Sequence, residues 1–208
     1  MAPLLVLTDR RQARCLGLVA TVAAAVEGGA RVVLLREKDL DRRSRSALAR
    51  ALRDVLAPVG GTLLVAGGDV DLARDSGAGG VHLAAAEPRP PDTAELVVGR
   101  SCHDVHELGA AAAEGVDYAS VSPVFATASK PGYGPALGTA GLAGLAAGTE
   151  VPLVALGGIT AATASDCLGA GAAAVAVMGA VMASADPAAT VRGLLAGLAC
   201  PALPGERH

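Results

Sequence analysis

Residues 117–138 read DYASVSPVFATASKPGYGPALG. The stretch holds every Tyr and Phe of a 208-residue chain without Trp (Tyr118, Phe125 and Tyr133), together with Lys130, one of two lysines. Tyr118 to Val121 is a short apolar run, and it opens directly into a loop of hydroxyls, prolines, glycines and one amine. A buried strand that ends in such a loop is the pattern found at the mouth of an α/β barrel.

Working outward, the same unit recurs. Apolar runs lie at 3–7, 30–35, 62–66, 80–83, 96–99, 118–121, 152–156 and 174–178. Between most of them, and after the last, are segments with helical spacing, such as 16–27, 40–57, 104–114 and 187–198. Helix stops precede the strands in a repeated phrase: Glu27-Gly28-Gly29-Ala30, Gly77-Ala78-Gly79-Gly80, Glu114-Gly115-Val116-Asp117 and Gly169-Ala170-Gly171. Segment 84–92 carries three prolines and is read as a loop. Eight β-α units in strict alternation predict an α/β fold, a single (β/α)8 TIM barrel over residues 1–208, with its core at about 4–198 and a tail at 199–208. The competing arrangement, a doubly wound open sheet, calls for a glycine-rich turn after the first strand. Leu7-Thr8-Asp9-Arg10 offers none.

Composition narrows the functional classes. The chain is 52% hydrophobic, mostly aliphatic, with a net charge of −3, and it shows no basic stripe interleaved with aromatics. That speaks against a nucleic-acid binder. The longest apolar late segment, 170–185, is too short to span a bilayer, so no membrane partner is expected. Cys15, Cys102, Cys167 and Cys200 are scattered, as reduced thiols in a cytoplasmic protein would be. Oligomeric state is left open, a homo-oligomer included.

In the barrel, residues following each strand converge on one face. That face collects Thr8, Arg36, Lys38, Gly67, Gly68, Glu87, Ser101, His103, Thr127, Ser129, Lys130, Gly157, Gly158 and Gly179. Two lysines against fifteen arginines make Lys38 and Lys130 informative positions, since an ammonium is a compact charge suited to phosphate. Hydroxyls, these cations and glycine turns after strands seven and eight predict a phosphate-ester site. His82, inside a strand, reads as a satisfied core or rim histidine, whereas His103 is the better candidate acid/base. Glu87 is the one candidate carboxylate ligand at the mouth for Mg²⁺.

These motifs, in order, resemble the thiamine phosphate synthase superfamily. They are Leu5-Val6-Leu7-Thr8-Asp9-Arg10, Leu35-Arg36-Glu37-Lys38, Gly80-Val81-His82-Leu83, Pro123-Val124-Phe125-Ala126-Thr127-Ala128-Ser129-Lys130, Ala155-Leu156-Gly157-Gly158-Ile159 and Ala174-Val175-Ala176-Val177-Met178. The resemblance implies a synthase that joins a hydroxymethylpyrimidine diphosphate to a thiazole phosphate and releases pyrophosphate. Small phosphorylated heterocycles would be its substrates, and Mg²⁺ would assist. Carried over, Arg36, Lys38 and Lys130 would neutralise the departing diphosphate. Thr127 and Ser129 would sit near the phosphates, and Ser101 would touch the pyrimidine. Gly158, Met178 and Gly179 would cradle the thiazole phosphate.

Departures from the family pattern keep alternatives open. Leu34 stands where the family places Gln, and Gly67-Gly68 where it places Asn-Asp, which weakens the expected Mg²⁺ site. Thiazole tautomerases of the same superfamily need only the thiazole phosphate. They use a histidine just after strand six, where this chain has Pro123, so His103 would have to act in its place. A non-catalytic phosphate-binding paralogue and a Schiff-base aldolase using Lys130 are the remaining readings.

Overall fold

Runs of Leu, Val and Ala with no polar alternation belong in a sheet buried on both faces, and that is where they lie. The computed structural model describes residues 2–127 and 135–199. Eight strands, β1 (Leu4–Leu7), β2 (Val32–Leu35), β3 (Thr62–Ala66), β4 (Gly80–Leu83), β5 (Val97–Cys102), β6 (Tyr118–Val121), β7 (Leu153–Leu156) and β8 (Ala174–Val177), pair in parallel in chain order. The ring closes where Leu5 of β1 faces Ala176 of β8. This closed barrel excludes the open doubly wound sheet.

Side chains alternate between two apolar environments. Leu5, Leu7, Leu34, Leu64, Ala66, Tyr118, Val154, Ala174 and Ala176 pack together inside the barrel. Their neighbours, among them Val6, Val33, Leu35, Leu63, Val65, Val81, Val98 and Val175, pack outward in the larger core shared with the helices. Those helices are α1 (Leu18–Glu27), α2 (Arg42–Leu56), α3 (Val70–Ser76), α4 (Val105–Ala113), α5 (Gly138–Ala147), α6 (Ala164–Gly169), α7 (Gly179–Met182) and α8 (Pro187–Ala199). Among the described residues, no helix is long and apolar enough to cross a membrane.

Three differences from the sequence reading have physical causes. The second helix starts at Arg42 rather than Leu40, because Asp41 caps it by accepting the Ser44 N–H at 2.9 Å. Strand β5 runs on to Cys102, and Arg100, Ser101 and Cys102 keep their ladder partners Ala119, Ser120 and Val121 on β6. An arginine tolerates that buried position because both terminal nitrogens of its guanidinium find acceptors, although Nε has none among the described residues. Nη1 donates to the carbonyls of Ala84 (3.1 Å), Ala85 (2.9 Å) and Glu87 (2.7 Å), and Nη2 to the Glu114 carboxylate. Finally, β8 is followed by two helices, α7 and α8, where one was expected, while the β4–β5 connection carries no helix, as its three prolines implied.

Candidate active site at the barrel mouth

The corner above β1 and β2 is built on Glu37, a carboxylate with only 4% of its surface exposed. It accepts the Thr8 hydroxyl at 3.0 Å, the Arg10 N–H at 3.0 Å and the Arg10 guanidinium at 2.8 Å. Thr8 Oγ1 in turn accepts the Arg36 N–H at 2.9 Å. The inward turn of Glu37 fixes the short segment on which its neighbours Arg36 and Lys38 stand. Arg36 reaches across the mouth, its Nη1 4.0 Å from Met178 Sδ at the end of β8. Sequence reasoning passed over Glu37; the signal was an acid placed between the two cations of an Arg-Glu-Lys triplet.

Lys38 extends over β3 to Glu87, with Nζ 3.4 Å from Oε2. Two backbone groups also hold that carboxylate: the Gly68 N–H donates to Oε1 at 2.7 Å and the Ala84 N–H to Oε2 at 3.0 Å. Burial works against the charge on Glu87. The two N–H groups and Lys38 outweigh it and leave the carboxyl below its ordinary range. Arg100, from beneath, clamps the carbonyls of the loop that presents Glu87. Lys38, Arg45, Gly67, Gly68, Asp69 and Glu87, with Pro88 to Pro91, line a cavity of about 710 Å³.

Deeper, a polar group replaces the apolar filling on the side of β4, β5 and β6. His82 Nδ1 is 2.8 Å from the Tyr118 hydroxyl, and Nε2 is 2.9 Å from Ser101 Oγ and 3.4 Å from Ser120 Oγ. Burial foremost, with the positive charge of Lys38 and Arg100 against the opposing pull of Glu87, pushes the imidazole down to about 4. It is therefore neutral at physiological pH. His82 is thus the satisfied rim histidine that its strand position implied. Leu34, 2% exposed, faces the barrel interior.

On the far side, the loops above β6 and β7 touch. The Phe125 N–H donates to the Gly157 carbonyl at 3.0 Å. Gly158 has φ +65°, and a side-chain carbon there would overlap the Ala126 carbonyl and stand 2.8 Å from Phe125 Cβ. Met178 and Gly179 follow β8, and Gly179 opens α7. Thr127 is the last described residue before the loop; Ser129 and Lys130 lie outside the described residues. His103 sits at the start of α4. Its Nδ1 is 2.9 Å from Glu107 Oε2, and that oxygen also accepts the His103 N–H at 2.7 Å. The structure therefore sets Lys38 and Glu87 at one cavity edge, carries Arg36 across the mouth to Met178, and pairs His103 through Nδ1 with Glu107.

Comparison with known proteins assigns this barrel. Residues 4–181 match the family described as thiamine monophosphate synthase. The chain belongs to that family. A putative thiamine-phosphate synthase of Geobacter sulfurreducens is 41% identical over 159 residues, 74% of each chain. The thiamine-phosphate synthase of Laribacter hongkongensis is 40% identical over 185 residues, 86% of this chain and 87% of that one. Among solved structures, the thiamine phosphate pyrophosphorylase of Pyrococcus furiosus superposes with a TM-score of 0.83 at 29% identity, covering 94% and 95% of the two chains.

Magnesium, which the family implies, can be tested against the donors present. Both oxygens of Glu87 are engaged by N–H groups and Lys38. Asp69, at the start of α3, uses Oδ1 to accept the Leu72 N–H at 2.9 Å and Arg42 at 3.1 Å. Among the described residues, no group of three His, Cys, Asp or Glu side chains converges as a metal cluster. Among the described residues, Glu87 and Asp69 therefore form no all-protein Mg²⁺ cage at this edge.

Proposed function

We propose that this member of the thiamine monophosphate synthase family joins hydroxymethylpyrimidine diphosphate to thiazole phosphate. The methylene–oxygen bond of the diphosphate breaks with its electron pair leaving on pyrophosphate. The thiazole nitrogen lone pair then forms the new carbon–nitrogen bond. The observation that carries this reading is the Glu37-anchored pair Arg36 and Lys38, set at the mouth of a barrel about 40% identical to proteins named thiamine-phosphate synthase. Cations held in place before the reaction stabilise charge as it develops on a departing diphosphate, without reorganising at that moment.

In this reading, Arg36, Lys38 and Lys130 receive the diphosphate, and Thr127 and Ser129 bind near the phosphates. Ser101 meets the pyrimidine, and the backbones of Gly158, Met178 and Gly179 hold the thiazole phosphate. No step is assigned to a protein-held magnesium ion. The tautomerase reading lacks its histidine, since Pro123 follows β6, and His103 pairs through Nδ1 with Glu107 on its own helix. The cytoplasmic setting rests on cysteine usage: Cys15, Cys102 and Cys167 are free thiols.

The test is to incubate purified protein with thiazole phosphate, with and without the pyrimidine diphosphate and Mg²⁺. Thiamine phosphate and stoichiometric pyrophosphate are expected. Conversion of a non-aromatic thiazole isomer alone, or saturable binding without turnover, would replace the proposal by the tautomerase or the non-catalytic paralogue.

A further inference from the structure

A neutral imidazole has one N–H and one lone pair, so His82 gives to one neighbour and takes from the other. Which way round is settled by the hydroxyl protons. Among the described residues, the buried Tyr118 hydroxyl has a single hydrogen-bond partner, His82 Nδ1. If Nδ1 carried the proton, the phenol proton would be stranded in the barrel interior. If Ser101 then donated to Nε2 along the short 2.9 Å contact, the buried Ser120 hydroxyl would be stranded as well. With the proton on Nε2, Tyr118 donates to Nδ1, and the Nε2 N–H serves Ser101 at 2.9 Å and Ser120 at 3.4 Å. Among the described residues, only the Ser120 proton then lacks an acceptor in a closed position. Leaving a buried donor unmade is costly, so the second arrangement prevails.

The consequence falls on Ser101, which is only part-buried at the end of β5. Its oxygen is occupied by the imidazole N–H, so its own proton points elsewhere. We propose that Tyr118, His82 and Ser101 form a relay of fixed direction that makes Ser101 a hydrogen-bond donor, so that the bound heteroaromatic ring is read through a ring-nitrogen lone pair. Tyr118 and His82 act here as positioning residues and Ser101 as the ligand contact. The ring is recognised from one side, because Leu34 belongs to the apolar filling that also contains Tyr118 and offers no polar atom. Gly99 makes the relay spatially feasible: any side chain there would overlap the Tyr118 ring. The identification of the ring as the pyrimidine of a diphosphate substrate rests on the function proposed above.

Nitrogen-15 spectra of histidine-labelled protein at neutral pH test the relay without any ligand, with the His82 signals assigned by their loss in His82→Gln. Protonated Nε2 and unprotonated Nδ1 are expected, with that pattern disturbed in Tyr118→Phe. Protonated Nδ1, or a doubly protonated ring, overturns the proposal. Binding supplies the second test. Among analogues of the pyrimidine diphosphate in which one ring nitrogen at a time becomes CH, one should bind the wild type roughly tenfold more weakly. That penalty should nearly vanish in Ser101→Ala and shrink in Tyr118→Phe; its persistence in Ser101→Ala overturns the donor role. A wild-type protein that binds no pyrimidine diphosphate refutes the function proposed above, whereas the histidine spectrum decides the relay by itself.

Discussion

Glu37 accepts the hydroxyl of Thr8 at 3.0 Å across the β1–β2 edge, and both side chains are closed to solvent. Because Arg10 lies against the same carboxylate, Glu37→Gln would set an amide against donors that need an acceptor. A cost of about 2–3 kcal/mol follows for breaking one partner of such a buried group. For a chain of this size that lowers Tm by roughly 5–10 °C. The variant should also bind pyrophosphate more weakly, since Arg36 and Lys38 lose their common anchor. Calorimetry and pyrophosphate titration check both, and unchanged values in both would remove the anchoring role.

Gly158 yields a different expectation. Its φ of +65° and its closeness to Phe125 and Ala126 are satisfied without any ligand. Gly158→Ala should therefore destabilise the apoprotein by about 2–4 kcal/mol, from the left-handed backbone and the overlap with the β6 loop together. Thermal melting of unliganded protein reads this directly. A full Tm with weakened thiazole-phosphate binding would instead assign the glycine to the ligand alone.

That contrast shows where the sequence was legible and where it was not. Strands β3, β4 and β6 fall on the residues expected of them, because each is an apolar run with a glycine-containing turn at one or both ends. Gly157 and Gly158 were equally visible, yet pattern alone could not separate a phosphate cradle from a close packing of two loops. Arg100 and Glu37 were hidden for another reason. A buried charge contradicts hydropathy unless its partners are known, and these partners stand 13–16 and 27–29 residues away. Gly67-Gly68 was visible as a departure from the family pattern, but the structure was needed to show that N–H groups and Lys38 contact both oxygens of Glu87.

Lys38 and Lys130 should separate function from stability. The Lys38–Glu87 pair, at 3.4 Å and partly exposed on both sides, is worth under about 1 kcal/mol. Lys38→Ala should thus leave Tm nearly unchanged while weakening pyrophosphate binding by roughly tenfold, the loss of one charge-assisted contact. Lys130→Ala should weaken it more, because Lys38 is shared with Glu87. Isothermal titration of each variant measures this, and a wild-type affinity in Lys130→Ala would withdraw that residue from the site.

The buried imidazole of His82 makes a pH prediction of definite sign. Its pKa falls from 6.5 to about 4 on folding, through burial first and then the nearby cations. Between those values the unfolded chain binds a proton that the folded chain refuses, so stability rises with pH across the window. The contribution is complete above 6.5, is lost progressively as pH falls, and changes no further below about 4. Integrated over the window it amounts to at most roughly 3 kcal/mol. Glu87, whose carboxyl is also held down, loses stability in the same direction at the acid end, but it does so in every variant that retains it. Denaturant unfolding of wild type and His82→Gln at a series of pH values isolates the histidine: the wild-type curve should fall more steeply between pH 6.5 and 4. Parallel curves would mean that His82 is not held neutral by the fold, and the relay through Ser101 would lose its basis with it.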